Sequence, residues 1–318
     1  MSSQPRIKTS QDWNTFITSN PQISGNELLE MRRLCYEDIE KIRKRPLLVY
    51  ATRFLDTQPN TPNFIDLSDI DGFTDLVQSV QNNDEIDILL HSPGGRPDAT
   101  ERIVHILRSK FKKVHFLIPH SAYSAATMLA LSGDSITLHP SATLGPIDPQ
   151  LNGIPARSIK KGFEKVKDLL KKEGPEALPA YIPLLEKYTL DLLELCEDSE
   201  KLSKDLVTEW IKTYMLQGKE EFKGQINTAV DFFSDYDTHL LHSRPLVLNK
   251  IENLKLKVEQ AEQNLSELIW EAYIHLNGFF GISPFVKLYE NRYGISWGKA
   301  FQPLLLPQQQ IQKARQQS

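Results

Sequence analysis

Hydrophobic positions in the first half of the chain form short apolar runs separated by segments with helical spacing. Runs rich in Leu, Val and Ile predict strands, and segments in which apolar residues recur every three or four positions predict helices. The predicted strands are PLLVYAT, EIDILLHS, KVHFLIPH and SITLHP. The predicted helices are NELLEMRRLCYEDIEKIRKR, DIDGFTDLVQSVQ, DATERIVHILRSK and SAATMLALSG. This alternation indicates βαβ units and therefore an α/β fold built on a mostly parallel sheet.

From about residue 158 the pattern changes to longer and more charged helical segments. These are SIKKGFEKVKDLLKKEG, IPLLEKYTLDLLELCED, SKDLVTEWIKTYML and LVLNKIENLKLKVEQAEQNLSELIWEAYIHL. We therefore divide the chain into a flexible N-terminus, a main domain, a helical C-terminal extension and a disordered Gln-rich tail. The corresponding residues are 1–25, 26–258, 259–305 and 306–318.

Composition excludes several partner classes. The 37 basic and 41 acidic residues give a net charge of −4, which provides no electrostatic reason to expect a nucleic acid partner. No apolar run approaches the roughly 20 residues that cross a bilayer, so we expect no integral membrane segment and a cytoplasmic protein. Cys35 and Cys196 have no CxxC partner, so we expect reduced thiols, no metal and no cofactor.

Two strand-to-helix junctions, HSPGGRPDAT and PHSAYSAATMLA, carry the residues that suit chemistry. Ligands of open α/β sheets bind at the carboxyl ends of the strands, so neighbouring junctions can frame one crevice. The second junction offers the hydroxyl of Ser124, and a nucleophilic serine also needs a base and an oxyanion hole. Backbone amides of Gly94 and Ala125 could form that hole. The same residues equally suit a simple turn and a close helix contact, and spacing alone does not separate these interpretations.

The ordered set HSPGG, SAYSAAT, LGPIDPQ and DTHLLHSRPLVLNKIENLKLKV resembles the Clp/crotonase superfamily, in particular the serine dehydrogenase proteinase family related to signal peptide peptidase A. The resemblance runs from about Leu28 to Val258, and LGPIDPQ is its most specific marker. It implies a Clp/crotonase-like core of repeated ββα units with helical C-terminal additions. It also implies a serine peptidase that acts on a peptide or protein substrate and assembles as a homo-oligomer.

The same resemblance assigns roles to residues of both junctions. Ser124 matches the nucleophile, with Ser121 as a less favoured rival, and Gly94 and Ala125 match the oxyanion hole. The family commonly has glycine where this chain has Ala126, so a catalytically weak or inactive binding or assembly protein is one alternative. A crotonase-type enzyme acting on an acyl-coenzyme A thioester is another, although the second junction lacks the acidic residue that such an enzyme uses.

The general base is the least defined part of the predicted site. The position of the histidine of the Clp proteolytic subunit is occupied here by residues 145–147, which are Gly, Pro and Ile. The signal peptide peptidase relatives suggest a serine–lysine dyad instead, and such a lysine must be neutral, which burial favours. Lys187 lies near the apolar stripe of its predicted helix and is our candidate. Lys165 and Lys167 are the alternatives, on a helix that reads as a charged surface.

Several other polar residues receive structural interpretations. We expect loop or surface positions for the histidines, whose spacing forms no metal-ligand pattern. These are His91, His139, His239 and His242, of which His242 lies in a segment typical of the family. Asp134 and Asp148 are expected to fix loops, and a triad role for either is the less favoured alternative.

Overall fold

The computed structural model describes residues 6–58, 60–186, 189–217 and 220–301. Its helices are α1 (Ser10–Ser19), α2 (Gly25–Arg43), α3 (Ile70–Ser79), α4 (Pro97–Lys110), α5 (Ala125–Leu131), α6 (Ala156–Glu173), α7 (Leu178–Leu185), α8 (Leu190–Trp210), α9 (Lys223–Ser234), α10 (Tyr236–His239), α11 (Leu248–Ile251) and α12 (Gln263–Ile282). Its strands are β1 (Leu47–Thr52), β2 (Glu85–His91), β3 (Lys113–Ile118), β4 (Ser121–Ala122), β5 (Ser135–Leu138), β6 (Thr143–Leu144), β7 (Gln150–Leu151), β8 (Ile154–Pro155), β9 (Val258–Gln260), β10 (Phe285–Glu290) and β11 (Ser296–Ala300).

A central sheet with the strand order β11-β10-β1-β2-β3-β5-β9 organises the molecule. Strands β1, β2, β3, β5 and β9 run parallel, and β10 and β11 close one edge as antiparallel strands. The register places Tyr50 of β1 opposite Leu90 of β2. A mostly parallel sheet with intervening helices confirms the predicted α/β class.

Helices cover both faces of this sheet. Leu48 and Tyr50 of β1 face the larger core cluster, which also receives apolar residues of α3, α4, α5, α8 and α9. Leu47 and Val49, which point the opposite way, pack with residues of α2 and α12. Because both faces are buried, the strands read in the sequence as continuous apolar runs rather than as alternating patterns.

The expectation of a flexible N-terminus over residues 1–25 is wrong for α1. Thr9 and Asp12 form a capping box at its start, and Trp13 is buried. The Trp13 ring lies against α12 so closely that a Cβ built on Gly278 would be 2.1 Å from it. The helix therefore docks through one aromatic side chain and a cap, a signal that the polar composition of the segment obscured.

The C-terminal extension over residues 259–305 is not purely helical. Part of it joins the central sheet, so the predicted division between residues 258 and 259 does not separate it from the main domain. After α12 the chain adds β10 and β11, and β10 pairs directly with β1 in the centre of the sheet. Its sequence FVKLYE is rich in β-branched, apolar and aromatic residues, and its burial is nearly continuous, which is typical of a strand inside a sheet. The predicted disordered tail over residues 306–318 lies outside the described residues. Among those that are described, no helix combines the length and apolar content needed to span a bilayer.

Candidate active site

Ser124 lies at a sharp turn between a short strand and a helix. Strand β4 pairs in parallel with β6, and the chain then turns through Ser124 into α5. Ser124 has φ 51° and ψ −123°, a backbone conformation that a residue with a side chain seldom adopts and that costs free energy. A turn of this kind between a strand and a helix projects the side chain of its central residue away from the backbone. The side chain of Ser124 is half-buried.

Hydrogen bonds on both sides hold this turn. The Ala126 amide donates to the Tyr123 carbonyl at 2.9 Å, and the Met128 amide donates to the Ser124 carbonyl at 3.0 Å. The Thr127 hydroxyl donates to the carbonyl that ends β4 at 2.7 Å and accepts from the Gly145 amide at 3.0 Å. The surrounding structure therefore over-determines the strained conformation of Ser124.

The rival serine occupies a different environment. Ser121 is part of β4 and fully buried, and its hydroxyl is hydrogen-bonded to His120 Nδ1 at 2.7 Å. The Ser124 hydroxyl makes no hydrogen bond to any residue that the structure describes. Ala126, the departure from the family pattern, is fully buried and belongs to the main core cluster. Its methyl group therefore does not line an accessible cleft.

The double-glycine loop lies directly against the serine turn. Gly94 has φ +93°, and a Cβ built on it would lie 2.3 Å from the Tyr123 carbonyl oxygen and 2.7 Å from both the Ala125 amide nitrogen and Ser124 Cβ. The Gly94 amide donates to Ser92 Oγ at a long 3.2 Å. No acceptor for the Ala125 amide is present in the described part of the chain. The structure thus brings Gly94 and Ala125 together beside Ser124.

A buried lysine of β10 anchors the double-glycine loop by holding the segment before α3. The Ile65 amide donates to the Gly94 carbonyl at 2.7 Å. Lys287 of β10 donates from Nζ to the carbonyl of the preceding residue, Phe64, at 2.6 Å and to Asp69 Oδ1 at 2.9 Å. Lys287 is fully buried, and its charge is neutralised by that carboxylate. Sequence reasoning missed this anchor because its parts lie far apart in the chain.

Two of the three lysines that could act as the base lie at the protein surface. Lys187 lies outside the described residues. Lys165 and Lys167 are both exposed on α6, and Lys167 lies 3.3 Å from Glu164. Both side chains lie in solvent rather than in the buried, apolar surroundings that a lysine base requires, so neither position suits this role.

A buried aspartate and a histidine form a pair that the sequence analysis did not favour. His242 Nδ1 lies 2.9 Å from Asp148 Oδ1, and the Asp148 carboxylate is almost fully buried. Leu246 bonds in antiparallel fashion to Leu144 of β6, and β6 pairs with β4, which leads into Ser124. Strand β6 therefore links these parts of the chain, because the serine turn follows β4, Asp148 follows β6, and His242 precedes the bridge at Leu246.

The sequence contains both residues of this pair in segments typical of the family, but it does not show that they lie together. Asp148 belongs to LGPIDPQ and His242 to the later family-like segment, but they lie almost a hundred residues apart. Asp134, by contrast, behaves as predicted. It accepts hydrogen bonds from Arg108 at 2.8 Å and from the Val114 amide at 2.9 Å, which fixes the loop before β5.

A row of rings borders the serine turn at the carboxyl edge of the sheet. The ring contacts run from Tyr123 through Phe54, His91, His120, Tyr273 and Trp270 to His139. His139 stacks on Trp270 at a centroid distance of 4.8 Å and is half-buried rather than free at the surface. His91 is buried at the end of β2, and its Nδ1 has no hydrogen-bond partner among the described residues. Burial lowers the pKa of His91 to about 3.

Burial of His91 should make the fold sensitive to acid. Its pKa of about 3 lies below the unfolded value of about 6.5, so between these values the unfolded chain binds a proton that the folded chain does not. The His91 contribution to stability is therefore complete above pH 6.5 and declines by about 1.4 kcal/mol per pH unit as the pH falls through this window. Urea unfolding at pH 6.5 and pH 4.5 should show a loss for wild type about 2 kcal/mol larger than for His91→Phe.

An exposed histidine provides the control for this experiment. His105→Phe on the solvent side of α4 should lose as much stability as wild type between the two pH values. Equal losses in wild type and His91→Phe would contradict the assignment of this acid sensitivity to His91.

A family model described as a ClpP-like SDH-type serine proteinase matches residues 13–273. The chain belongs to this family. The expected serine dehydrogenase proteinase resemblance is confirmed, and the matched region extends beyond the expected one at both ends. Membership establishes a Clp-like α/β fold of a serine proteinase family.

Relatives of this proteinase family member include two archaeal proteins. MJ1495, an uncharacterized protein of Methanocaldococcus jannaschii, is 26% identical over 232 residues, which are 72% of each chain. MJ0137 of the same organism, also uncharacterized, is 34% identical over 102 residues, which are 32% of this chain and 36% of that protein. Among solved structures, a mutant of the 1510-N membrane-bound stomatin-specific protease aligns with a TM-score of 0.37 and 19% identity, over 63% of this chain and 77% of that one.

Proposed function

We propose that the protein hydrolyses peptide bonds with Ser124 as the nucleophile and the Gly94 and Ala125 amides as the oxyanion hole. The observation that carries this proposal is the strained Ser124 turn, packed against Gly94, where an added Cβ would collide with it. A base removes the hydroxyl proton, and Oγ attacks the carbonyl carbon of the peptide. The two amides stabilise the negative charge on the oxygen. The base then protonates the leaving amine, and water releases the acyl group from Ser124.

We assign the base to His242, oriented by Asp148. The hydrogen bond between Asp148 and Nδ1 leaves Nε2 as the nitrogen that accepts the serine proton, which is the geometry of a Ser-His-Asp triad. Burial of the carboxylate supports this assignment, and so does the bridge from Leu246 to Leu144 of β6, the strand that pairs with β4 before the serine turn. A serine–lysine dyad with Lys187 is the competing proposal, and it rests on the family resemblance and on the apolar stripe of its predicted helix.

Two other functions compete with this proposal. A non-catalytic binding or assembly protein would retain the fold without turnover, and the sequence features that favour it are Ala126, the undefined base and the long C-terminal helical region. A crotonase-type enzyme would use the same amides on a thioester. The half-buried Ser124 hydroxyl, which has no hydrogen-bond partner among the described residues, favours the peptidase over both.

Assembly and location complete the proposal. We expect a homo-oligomer in the cytoplasm that acts on a peptide or protein substrate. Leu240 and Leu241 are each 63% exposed beside His242, so an apolar patch borders the proposed base. A substrate segment or a second copy of the chain would cover this patch.

Replacement of Gly94 tests the oxyanion hole. Gly94→Ala should reduce peptide hydrolysis by about a hundredfold or more, because the new methyl displaces the Ser124 turn and moves an amide donor. The strained φ and the collision should also lower the free energy of unfolding by about 1–3 kcal/mol. Kinetics and urea unfolding measure the two effects separately.

Gly153→Ala is the matched control for Gly94→Ala. Gly153 has a similar φ of +81°, but a Cβ built there meets no atom within 4 Å. The Gly153→Ala variant should therefore have a lower free energy of unfolding but an unchanged rate of peptide hydrolysis. If the Gly94→Ala variant hydrolyses peptides as fast as wild type, the assignment of Gly94 to the oxyanion hole is wrong.

The proposal as a whole is tested by incubating the purified chain with a peptide library and identifying products by mass spectrometry. Wild type should generate cleaved peptides that Ser124→Ala does not generate. The absence of products from wild type would favour the binding or assembly protein instead.

A further inference from the structure

Helices α2 and α12 bring three side chains that can bind a metal close together. The two helices cover the face of the central sheet opposite to α3 and α4. Cys35 of α2 and Glu271 and His275 of α12 each offer one ligand atom, and these atoms all lie within 4.8 Å of one another. All three residues are only 2% exposed. Because Cys35 lies near one end of the chain and the others near the opposite end, sequence spacing gave no sign of this cluster.

Helical geometry explains why the two α12 ligands converge. Residues four positions apart lie on the same helical face, one turn from each other. Glu271 and His275 have this spacing, and α12 packs along α2, which supplies Cys35. Two ligands on one helix and a third on its neighbour are a common arrangement for a tetrahedral metal site.

His275 provides the independent observation that points to a ligand. Its Nδ1 is buried without a hydrogen-bond partner, and neither ring nitrogen bonds to a described residue. Its ring contact in the described part of the chain is with Trp13, nearly perpendicular and at a centroid distance of 5.7 Å. Whichever ring nitrogen faces Cys35 and Glu271 is thus without a partner among the described residues, and because an unpaired buried nitrogen is costly, a bound ion would stabilise it.

Glu271 is already oriented by the segment before α1. Its Oε2 lies 2.9 Å from an Arg6 guanidinium nitrogen, and its Oε1 accepts a hydrogen bond from the Ile7 amide at 3.2 Å. Contacts of this kind hold a carboxylate ligand in place and are typical of the surroundings of metal sites.

We propose that Cys35, Glu271 and His275 bind one Zn²⁺ ion. These are sulfur, oxygen and nitrogen ligands of the types that zinc prefers, and a water molecule would complete a tetrahedral set. On binding, the Cys35 thiol releases its proton to solvent, and its sulfur forms a bond to the metal. The thiolate and the carboxylate then balance the charge of the ion. Zinc bonds of 2.0–2.3 Å place ligands about 3.5 Å apart, so the side chains close by about 1 Å.

The segment before α1 provides an entry path. Arg6, Ile7 and Lys8 cross the cluster, and the outer ion pairs from Arg6 to Asp38 and from Lys8 to Glu267 are solvent-accessible. Exposed ion pairs contribute little, but Ile7 is buried in a small core cluster, so entry of the ion requires local opening of this segment. The ion would fasten α2 to α12 and hold the segment down, a structural role independent of peptidase activity.

Metal titration of the full chain tests this proposal. The protein is stripped with a chelator, dialysed and titrated with Co²⁺, whose sulfur-to-cobalt absorption reports a thiolate ligand, and then with Zn²⁺ in competition. Wild type should bind one equivalent with this absorption, and Zn²⁺ should raise its melting temperature. Cys35→Ser should lose the absorption, and both Cys35→Ser and His275→Gln should bind Zn²⁺ at least about 100-fold more weakly.

Cys196→Ser is the matched control, because Cys196 is the other buried free cysteine and lies on α8 outside this cluster. It should retain the absorption, the stoichiometry and the thermal shift. Circular dichroism before titration verifies that each variant is folded, and His275→Gln preserves the test if Cys35→Ser does not fold. Wild type without stoichiometric binding, or binding that persists in the site variants, would overturn the proposal.

Discussion

Ser124→Ala is expected to reduce peptide hydrolysis by at least about a thousandfold while leaving the fold intact. The loss is large because no covalent acyl intermediate can form without the hydroxyl, and the amides alone supply only a small part of the acceleration. The fold is preserved because the Ser124 side chain forms no helix cap and no hydrogen bond to a described residue. Initial rates on a cleaved library peptide, together with the melting temperature, measure both effects.

Ser121→Ala is the comparison variant. It removes the hydrogen bond to His120 and should cost about 1 kcal/mol of stability, yet it should hydrolyse the same peptide within about tenfold of wild type. A fluorophosphonate should label wild type and Ser121→Ala, and the modified peptide should contain Ser124. Unchanged hydrolysis by Ser124→Ala would exclude this serine as the nucleophile.

His242→Gln is expected to lower hydrolysis by about a hundredfold to ten-thousandfold, the range in which general-base catalysis contributes. Lys187→Met is expected to remain within about tenfold of wild type. Asp148→Asn should resemble His242→Gln, because the amide no longer holds the imidazole in the tautomer that accepts the serine proton. Rates of the three variants on one peptide, at one pH, measure the difference.

The opposite order of the variants' hydrolysis rates would favour the serine–lysine dyad over the proposed Ser-His-Asp triad. If Lys187→Met loses turnover and His242→Gln keeps it, Lys187 is the base, and the pair of His242 and Asp148 is structural. Thermal melting of each variant distinguishes a catalytic loss from unfolding. His139→Gln, at a histidine that stacks on Trp270, serves as the control for loss of an imidazole.

Local patterns predicted the first half of the fold and one side of the site. The apolar runs of β1, β2, β3 and β5 correspond to buried parallel strands, and their helices follow at the predicted places. The junctions around Gly94 and Ser124 could be found because glycine and a serine among alanines leave a recognisable sequence at a strand end. The structure adds the positive φ of Ser124, which no sequence pattern specifies.

Features that depend on distant partners escaped prediction. The pairing of β10 with β1, the bond from His242 to Asp148 and the approach of Cys35 to His275 each join segments that only the folded chain brings together. The docking of α1 depends on the space that Gly278 leaves for Trp13. Periodicity reports which face of an element is buried, but it does not identify the partner on that face.

The position of Lys287, long after Gly94 in the chain, has a consequence during synthesis. Its side chain holds Phe64, which precedes the residue bonded to Gly94, yet β10 leaves the ribosome after all the parallel strands of the central sheet. A growing chain that lacks β10 has no Lys287 to hold this segment, and its central sheet lacks a strand beside β1. The loop that we propose as part of the oxyanion hole is therefore firmly held only after β10 has been translated, which is expected to delay peptide hydrolysis by the nascent chain.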